Sequence, residues 1–285
     1  QNLYWKQVFR SPKTKIGLMV VIIFALAAIF APVLAPHDPL LVDVSIKLKN
    51  PSAAYPLGTD QLGRCILSRL LYGAQTTLLN SLVVLAGILL IGIPLGLISG
   101  FCGGWIDNLI MRFADIVSTF PSSLLALAVV SVFGAGLQNV MIVLVALWWA
   151  PFARILRSQV LKIKEKDFVM AAKASGTSKF KIVINHVLLN SISPIIVYST
   201  LRVAAVIMHI ASFSFIGLGT QPPAADWGVM LSDSKQFIST APLMMIWPGL
   251  SIMLVVFSLN MFGEGLNEAL MPGGNKKAKQ LGDGE

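Results

Sequence analysis

Residues 167–190 read DFVMAAKASGTSKFKIVINHVLLN, the longest polar-looking interval between two strongly apolar regions. It lies in the most basic part of the chain: eight of the 22 Lys and Arg fall between Arg154 and Lys181. Val169, Met170, Ala171, Ala172, Lys173 and Ala174 favour helix and run into Gly176, a natural stop because glycine tolerates the left-handed conformation a helix end needs. Thr177 or Ser178 can then cap a second helix, with Phe180, Ile182, Val183, Ile184 and Val187 as its apolar surface. The pattern predicts two short helices joined by a tight turn. Ala171, Ala172, Ala174 and Ser175 give the first a small-residue face that another surface can approach closely. The bland alternative is an amphipathic hairpin lying on a membrane.

The regions on either side decide the class. Of 285 residues, 55% are hydrophobic and only 12% charged, with a mean hydropathy of +0.77. That balance marks an integral membrane protein. The net charge of +9 would suggest nucleic acid as partner in a soluble chain. Here the basic residues flank apolar runs instead, which is a topology signal. Cys65 and Cys102 make neither a metal-binding spacing nor a disulfide framework.

Taken in order, residues 1–15 are short and basic, with Lys6, Arg10, Lys13 and Lys15. Ile16–Ala35 approaches the ~20 residues needed to cross a hydrocarbon core. Its apolar stretch is too long for a secretory signal and lacks a clean cleavage site, so it reads as a retained span. Pro36-His37-Asp38-Pro39 breaks it and opens an outer segment, about 36–76. Within that segment Leu62, Ile66, Leu67, Leu70 and Leu71 have the spacing of an amphipathic helix on the outer interface, after a turn and cap at Gly58-Thr59-Asp60. A second span covers about 77–101, where Gly87, Gly92, Gly96 and Gly100 suit close helix packing, and Gly103-Gly104 turns the chain. A third occupies 105–134, with Arg112 and Asp115 spaced to pair on one face and Phe120-Pro121 inside it. The fourth, about 138–152, follows a Gly134-Ala135-Gly136 turn. Beyond the basic loop, about 160–190, Pro194–Phe215 forms the fifth and carries Arg202 and His209. Residues 217–242 are Gly- and Pro-rich, lie outside, and should hold a short helix around 227–237. The last span is about 243–262, and 271–285 is a polar tail. The whole is an all-α polytopic membrane protein with a transmembrane domain over 16–270. Fifteen Lys and Arg lie in the N-terminal segment, basic loop and tail, against five in the outer segments, so both termini should be cytoplasmic.

The loop resembles the cytoplasmic coupling loop of ABC-transporter permeases. That pattern reads Glu-Ala-Ala, three residues, Gly, nine residues, an apolar position, one residue, then Leu-Pro. Ala171-Ala172, Gly176 and Leu188 fit. Met170 stands in place of the Glu, His186 at the apolar position and Leu189 in place of the Pro. A denser match lies at residues 56–78. Leu57-Gly58-Thr59-Asp60, Leu62-Gly63-Arg64, Ser68-Arg69-Leu70 and Gly73-Ala74 resemble the signature of the peptide/nickel branch of these permeases, with Cys65 replacing the usual Asp. Ser214-Phe215-Ile216-Gly217-Leu218-Gly219, followed by Pro222-Pro223 and Asp226-Trp227-Gly228, is similar to the same branch.

The resemblance implies six transmembrane helices of the type I ABC importer kind in a bacterial inner membrane. It implies a homologous second permease, two cytoplasmic ATPases that bind ATP and Mg, and an extracytoplasmic solute-binding protein. Met170, Ala171, Ala172, Lys173, Ala174, Ser175 and Gly176 would couple to an ATPase. Asp60, Arg64, Asp226 and Trp227 would help receive the binding protein. Met208, His209, Ser212 and Ser214 are the pathway candidates, His209 also as a passing ligand for metal. The His before the Ser-Phe run and Cys65 after Gly63-Arg64 look like nickel permeases, so nickel or a metal chelate is the first expected cargo and a peptide the second.

The chain contains no G-x-x-x-x-G-K-[ST] phosphate loop, no H-E-x-x-H and no G-x-S-x-G. It should bind no cofactor and catalyse no covalent step, ATP hydrolysis falling to partner chains. A proton-driven carrier, the rival class, should bury several acids in its spans, and only Asp115 approaches that depth in the sequence.

Overall fold

The computed structural model describes residues 11–270; the expected readings for residues 1–10 and for the 271–285 tail lie outside them. Among the described residues the architecture is helical, with one isolated bridge between Thr59 and Cys65. Helix α1 (Pro12–Ile29) starts on a proline, whose missing N–H is an orphan there in any case. A one-turn α2 (Ala31–Leu34) follows before Pro36. Helix α3 runs unbroken from Ile66 to Cys102, 37 residues, or about 55 Å at 1.5 Å per residue. The separate outer amphipathic helix therefore does not exist. Ile66–Leu71 are the first turns of α3, because no breaker separates them from the apolar run.

Gly103 and Gly104, both at positive φ, turn the chain into α4 (Gly104–Thr119). Phe120 precedes a proline and is forced extended (φ −81°, ψ 122°). Helix α5 (Ser122–Phe133) consequently leaves at 80° to α4. The third span is thus a broken pair. Helix α6 (Leu137–Ile163) passes through Pro151 and beyond the expected end at Phe152. Arg154 and Arg157, beyond that expected end, find acidic partners described below.

After α7 (Asp167–Ala174) and the single turn α8 (Lys179–Ile182), a π turn over Val183–Leu188 runs directly into α9 (Leu189–Phe215). Pro194 lies inside α9 and does not start it. Helix α10 (Trp227–Ser234), extended by a 3-10 turn to Phe237, falls where the sequence predicts a short helix. Helix α11 (Leu243–Leu270) ends the described chain. Five helical segments are long and apolar enough to cross a membrane, and the α4–α5 pair brings the number to six.

The glycine stripe of α3 explains its packing on α6. A Cβ at Gly96 would sit 2.8 Å from the Ala153 carbonyl oxygen, and one at Gly100 2.7 Å from Val160 Cβ. Backbones therefore meet where glycine leaves room. Around this seam Val84, Ile88, Leu144, Phe152, Leu156 and Val160 are buried in one apolar core, which also takes in Ile195, Val206 and Ile210 of α9. A second core joins α1, α3, α9, α10 and α11 around Trp227 and Ile207.

Candidate functional site: coupling loop, midspan cleft and outer shelf

The basic loop forms the predicted first helix and its glycine stop, while the second helix is a single turn whose N-cap, Ser178, makes no side-chain bond. Helix α7 carries Asp167 in its first turn and Lys173 in its last, each at the favourable end of the helix dipole. Gly176 takes φ +76°. Its N–H donates to the Lys173 carbonyl at 3.0 Å, and the Thr177 N–H donates to the Ala172 carbonyl at 3.1 Å. This is the two-bond glycine stop that closes a helix. Val169 is fully buried in the α3–α6–α9 core together with Ile182 and Val187. Met170 is 56% exposed, Ala171, Lys173, Ala174, Ser175 and Gly176 are also exposed, and Ala172 is half-buried. One face of α7 is keyed into the spans and the other carries small side chains outward. Phe180 and Ile184, expected as apolar backing for the second helix, are exposed.

Sequence reasoning missed the residue that steadies this end. Asp107, on the first turn of α4, is buried and accepts from Arg157 Nε at 2.6 Å and Nη2 at 2.5 Å. The Ser99 hydroxyl also donates to it. Lys164 Nζ donates to the Gly100 carbonyl at 3.1 Å. An acid just after a Gly-Gly turn, opposite a basic helix end, was the available signal. Arg112 and Asp115 do not pair. Asp115 instead meets Arg154 from α6 at 3.0 Å, and Arg154 also reaches the Ala114 carbonyl and the Ser118 hydroxyl. An arginine entering from a neighbouring helix reaches the carboxylate that a same-face pairing had assigned to Arg112.

The pathway candidates separate. Met208 and Ser212 are exposed, the serine hydroxyl donating back to the Met208 carbonyl at 2.7 Å. Ser214 is buried, accepts the Thr220 N–H at 3.1 Å and lies against Gly219 and Gly228, so it braces the turn that follows α9. His209 Nδ1 donates to the Ala205 carbonyl at 2.9 Å, and its ring stands edge-on to Trp148, centroids 4.6 Å apart. Among the described residues no three His, Cys, Asp or Glu side chains gather as a metal site, and none joins His209 in one. Arg202, not chosen from sequence, meets the same Trp148 ring. Its guanidinium carbon is 5.3 Å from the Trp148 ring and 4.8 Å from that of Tyr198.

The four docking candidates of the outer segments are buried. Arg64, 2% exposed, bonds Asp60 at 2.6 Å and Asp233 at 3.1 Å. Asp60 Oδ1 also accepts the N–H groups of Leu62 and Arg64, both at 2.9 Å, closing the turn before α3. Asp226 caps α10 through Gly228 N at 2.9 Å and Val229 N at 3.2 Å, and receives the Thr77 hydroxyl. Burial pushes its carboxyl above the usual carboxylate range. Trp227 donates to the Leu70 carbonyl at 3.0 Å, with its indole over Gly73. These side chains clamp residues 58–77 to 223–233 and present nothing to a docking protein. A polar signature there reads as a frame that joins the two segments.

Residues 92–273 match the family described as "Binding-protein-dependent transport system inner membrane component". Residues 2–51 match the "N-terminal TM domain of oligopeptide transport permease C". The chain is 44% identical over 272 residues to a dipeptide transport system permease protein of Alkalihalophilus pseudofirmus, covering 94% of this chain and 90% of that protein. It is 37% identical over 258 residues to the nickel transport system permease protein of Escherichia coli K12, covering 90% and 93%. It is 38% identical over 273 residues to a glutathione transport system permease protein of Pectobacterium atrosepticum, covering 94% and 90%. Its fold is similar to a chain in inward-facing conformations of the MetNI methionine ABC transporter, with a TM-score of 0.56 at 18% identity, covering 70% of this chain and 96% of that one.

Proposed function

The chain belongs to the inner-membrane components of binding-protein-dependent transport systems, in the dipeptide, nickel and glutathione branch of ABC importer permeases, and we propose that it forms one half of a translocation pathway for a dipeptide-sized solute. The 44% identity to a dipeptide permease supports that cargo. Its partners in this reading are a homologous second permease, two cytoplasmic ATPases that hold ATP and Mg, and an extracytoplasmic binding protein. Both termini are cytoplasmic, which the concentration of Lys and Arg in the terminal segments and the basic loop supports.

The observation that carries the mechanism is the two-faced α7. Met170, Ala171, Lys173, Ala174, Ser175 and Gly176 dock in an ATPase groove, while Val169 locks the same helix into the α3–α6–α9 core. Closure of the ATPases on ATP displaces α7. Because Val169 shares the close-packed core with the spans, that displacement turns them as bodies and does not dissipate in a flexible loop. The outer shelf, held by Asp60, Arg64 and Asp226, presents its surface to the loaded binding protein.

A second reading, nickel or a metal chelate as cargo, is favoured by the 37% identity to a nickel permease and by His209, whose Nε2 is a borderline ligand suited to nickel. Uptake into proteoliposomes holding both permeases, the ATPases and the binding protein decides the class. Dipeptide should accumulate only with ATP inside. Accumulation that persists without ATP under an imposed proton gradient would show a carrier and end this reading.

A further inference from the structure

Arg202 stands at the centre of the 27-residue α9. None of the ion pairs among the described residues includes it. Its Nη2 donates to the Tyr198 hydroxyl, and the guanidinium lies over the Tyr198 and Trp148 rings. It borders a cleft of about 200 Å³, shared with Ser118, Phe120, Ser122, Trp148 and Pro151, at the break between α4 and α5. The other guanidinium near this cleft, Arg154, is matched by Asp115. The charge of Arg202 is not matched.

A cation in the middle of a span is expensive, and where it occurs it faces a protein interior or a polar pathway. Two aromatic faces make it tolerable, but they accept no hydrogen bond from the rest of the fork, since four of its five N–H groups remain beyond the one given to Tyr198. A planar fork of that kind is complementary to a carboxylate. A bare divalent cation entering the same cleft would meet like charge. His209, whose ring also meets Trp148, offers that cation one ring nitrogen, and among the described residues no cluster of His, Cys, Asp or Glu completes a site.

We propose that Arg202 reads a carboxylate on the passing cargo. The pathway then takes solutes that carry one, a short peptide through its C-terminal group or a metal ion inside a carboxylate-bearing chelate, and rejects a bare divalent cation. This rests on the permease reading above and narrows its substrate class.

The test uses the complete importer in proteoliposomes with four probes: a dipeptide, its C-terminal amide, a nickel–histidine complex and nickel chloride alone. Wild type should carry the dipeptide, the chelate or both, and which of them it carries identifies the source of the carboxylate. It should carry the amide and nickel chloride far more slowly. Arg202→Gln should reduce the preference for free carboxylate over amide, or for chelate over bare nickel, by about tenfold, as expected for loss of one charge-assisted pair. Arg202→Lys should keep part of that preference. A residue that only packs would lower all probes together and leave the ratios alone, and that result overturns the proposal. So does wild-type uptake of nickel chloride as fast as its chelate, or equal loss of preference in the Lys and Gln variants. If wild type carries none of the four probes, the permease reading itself fails and the proposal falls with it.

Discussion

Asp107 holds Arg157 through both carboxylate oxygens, at 2.6 and 2.5 Å, and so ties α4 to α6 behind the coupling loop. Ser99 adds α3 to the same carboxylate. A bidentate, partly buried pair of this kind is directional, and lysine cannot reproduce its fork. Arg157→Lys should therefore lower the melting temperature of the purified complex, consistent with a loss of about 1.5–3 kcal/mol for hydrogen bonds to a charged group. Arg157→Gln combined with Asp107→Asn should cost less than the sum of the two single changes. Strict additivity in that cycle would show that the two side chains do not act as a unit.

The Gly176 turn is a backbone device, for a Cβ there would meet nothing within 4 Å. Any penalty comes from φ +76° alone, about 1 kcal/mol for an ordinary residue and more for a β-branched one. Gly176→Asn should consequently preserve transport, Gly176→Ala should weaken it slightly, and Gly176→Val should uncouple ATP hydrolysis from uptake while the complex still assembles. The rate of uptake per ATP across the three variants measures this. Equal rates in all three would remove the turn from the mechanism.

What the sequence made legible follows from periodicity and punctuation. Apolar runs located the spans, Gly87 to Gly100 marked the α3–α6 seam, and the Ala-Ala-x₃-Gly spacing located α7 with its stop. What escaped depends on partners distant in sequence. The Gly-Gly turn before Asp107 hints at an acid with a basic partner but does not single out Arg157, and nothing near Asp60 announces Asp233. For the same reason conspicuous residues such as Trp227 and Arg64 looked like a docking surface, although each is buried and bonded to a partner on another segment. Helix ends were misjudged at prolines. The fifth span was started at Pro194, which lies within a helix as Pro151 does, whereas Pro121, placed inside the third span, does break one. The difference is that Phe120 is extended, whereas the chain before Pro194 remains helical through the π turn.

Cysteine chemistry reports topology. Cys65 is buried at the N-cap of α3, so an outer location does not make it reachable, while Cys102 is exposed at the far end of the same helix. An impermeant maleimide on intact cells should label neither. It should label Cys102 once the cytoplasmic face is opened, and Ser239→Cys, on the exposed turn before α11, in intact cells. Labelling of Cys102 in intact cells with Ser239→Cys protected would invert the orientation.

Asp226 gives the outer shelf a pH dependence of definite sign. Its carboxyl is held above the usual carboxylate range, chiefly by burial, while the Val229 and Gly228 amides and the Thr77 hydroxyl oppose the shift. A raised carboxyl keeps its proton in the folded chain after the unfolded chain has released it. Between the ordinary value of 3.8 and the raised one, the folded state therefore binds more protons, and its stability falls as pH rises through that window. Below 3.8 both states are protonated and the group contributes no pH dependence. Asp226→Asn retains an oxygen to cap α10 and carries no charge, so its melting temperature should be flat across the window and exceed that of wild type most at the high-pH end. Asp226→Ala loses the cap as well, at a cost of about 1 kcal/mol, and should lie below Asp226→Asn at every pH. Melting curves of the three proteins from pH 4 upward, pH 4 being about the ordinary carboxylate value, separate these contributions. A wild-type advantage over Asp226→Asn that grows with pH would mean that the buried carboxylate is stabilised as an anion, and would reverse the sign argued here.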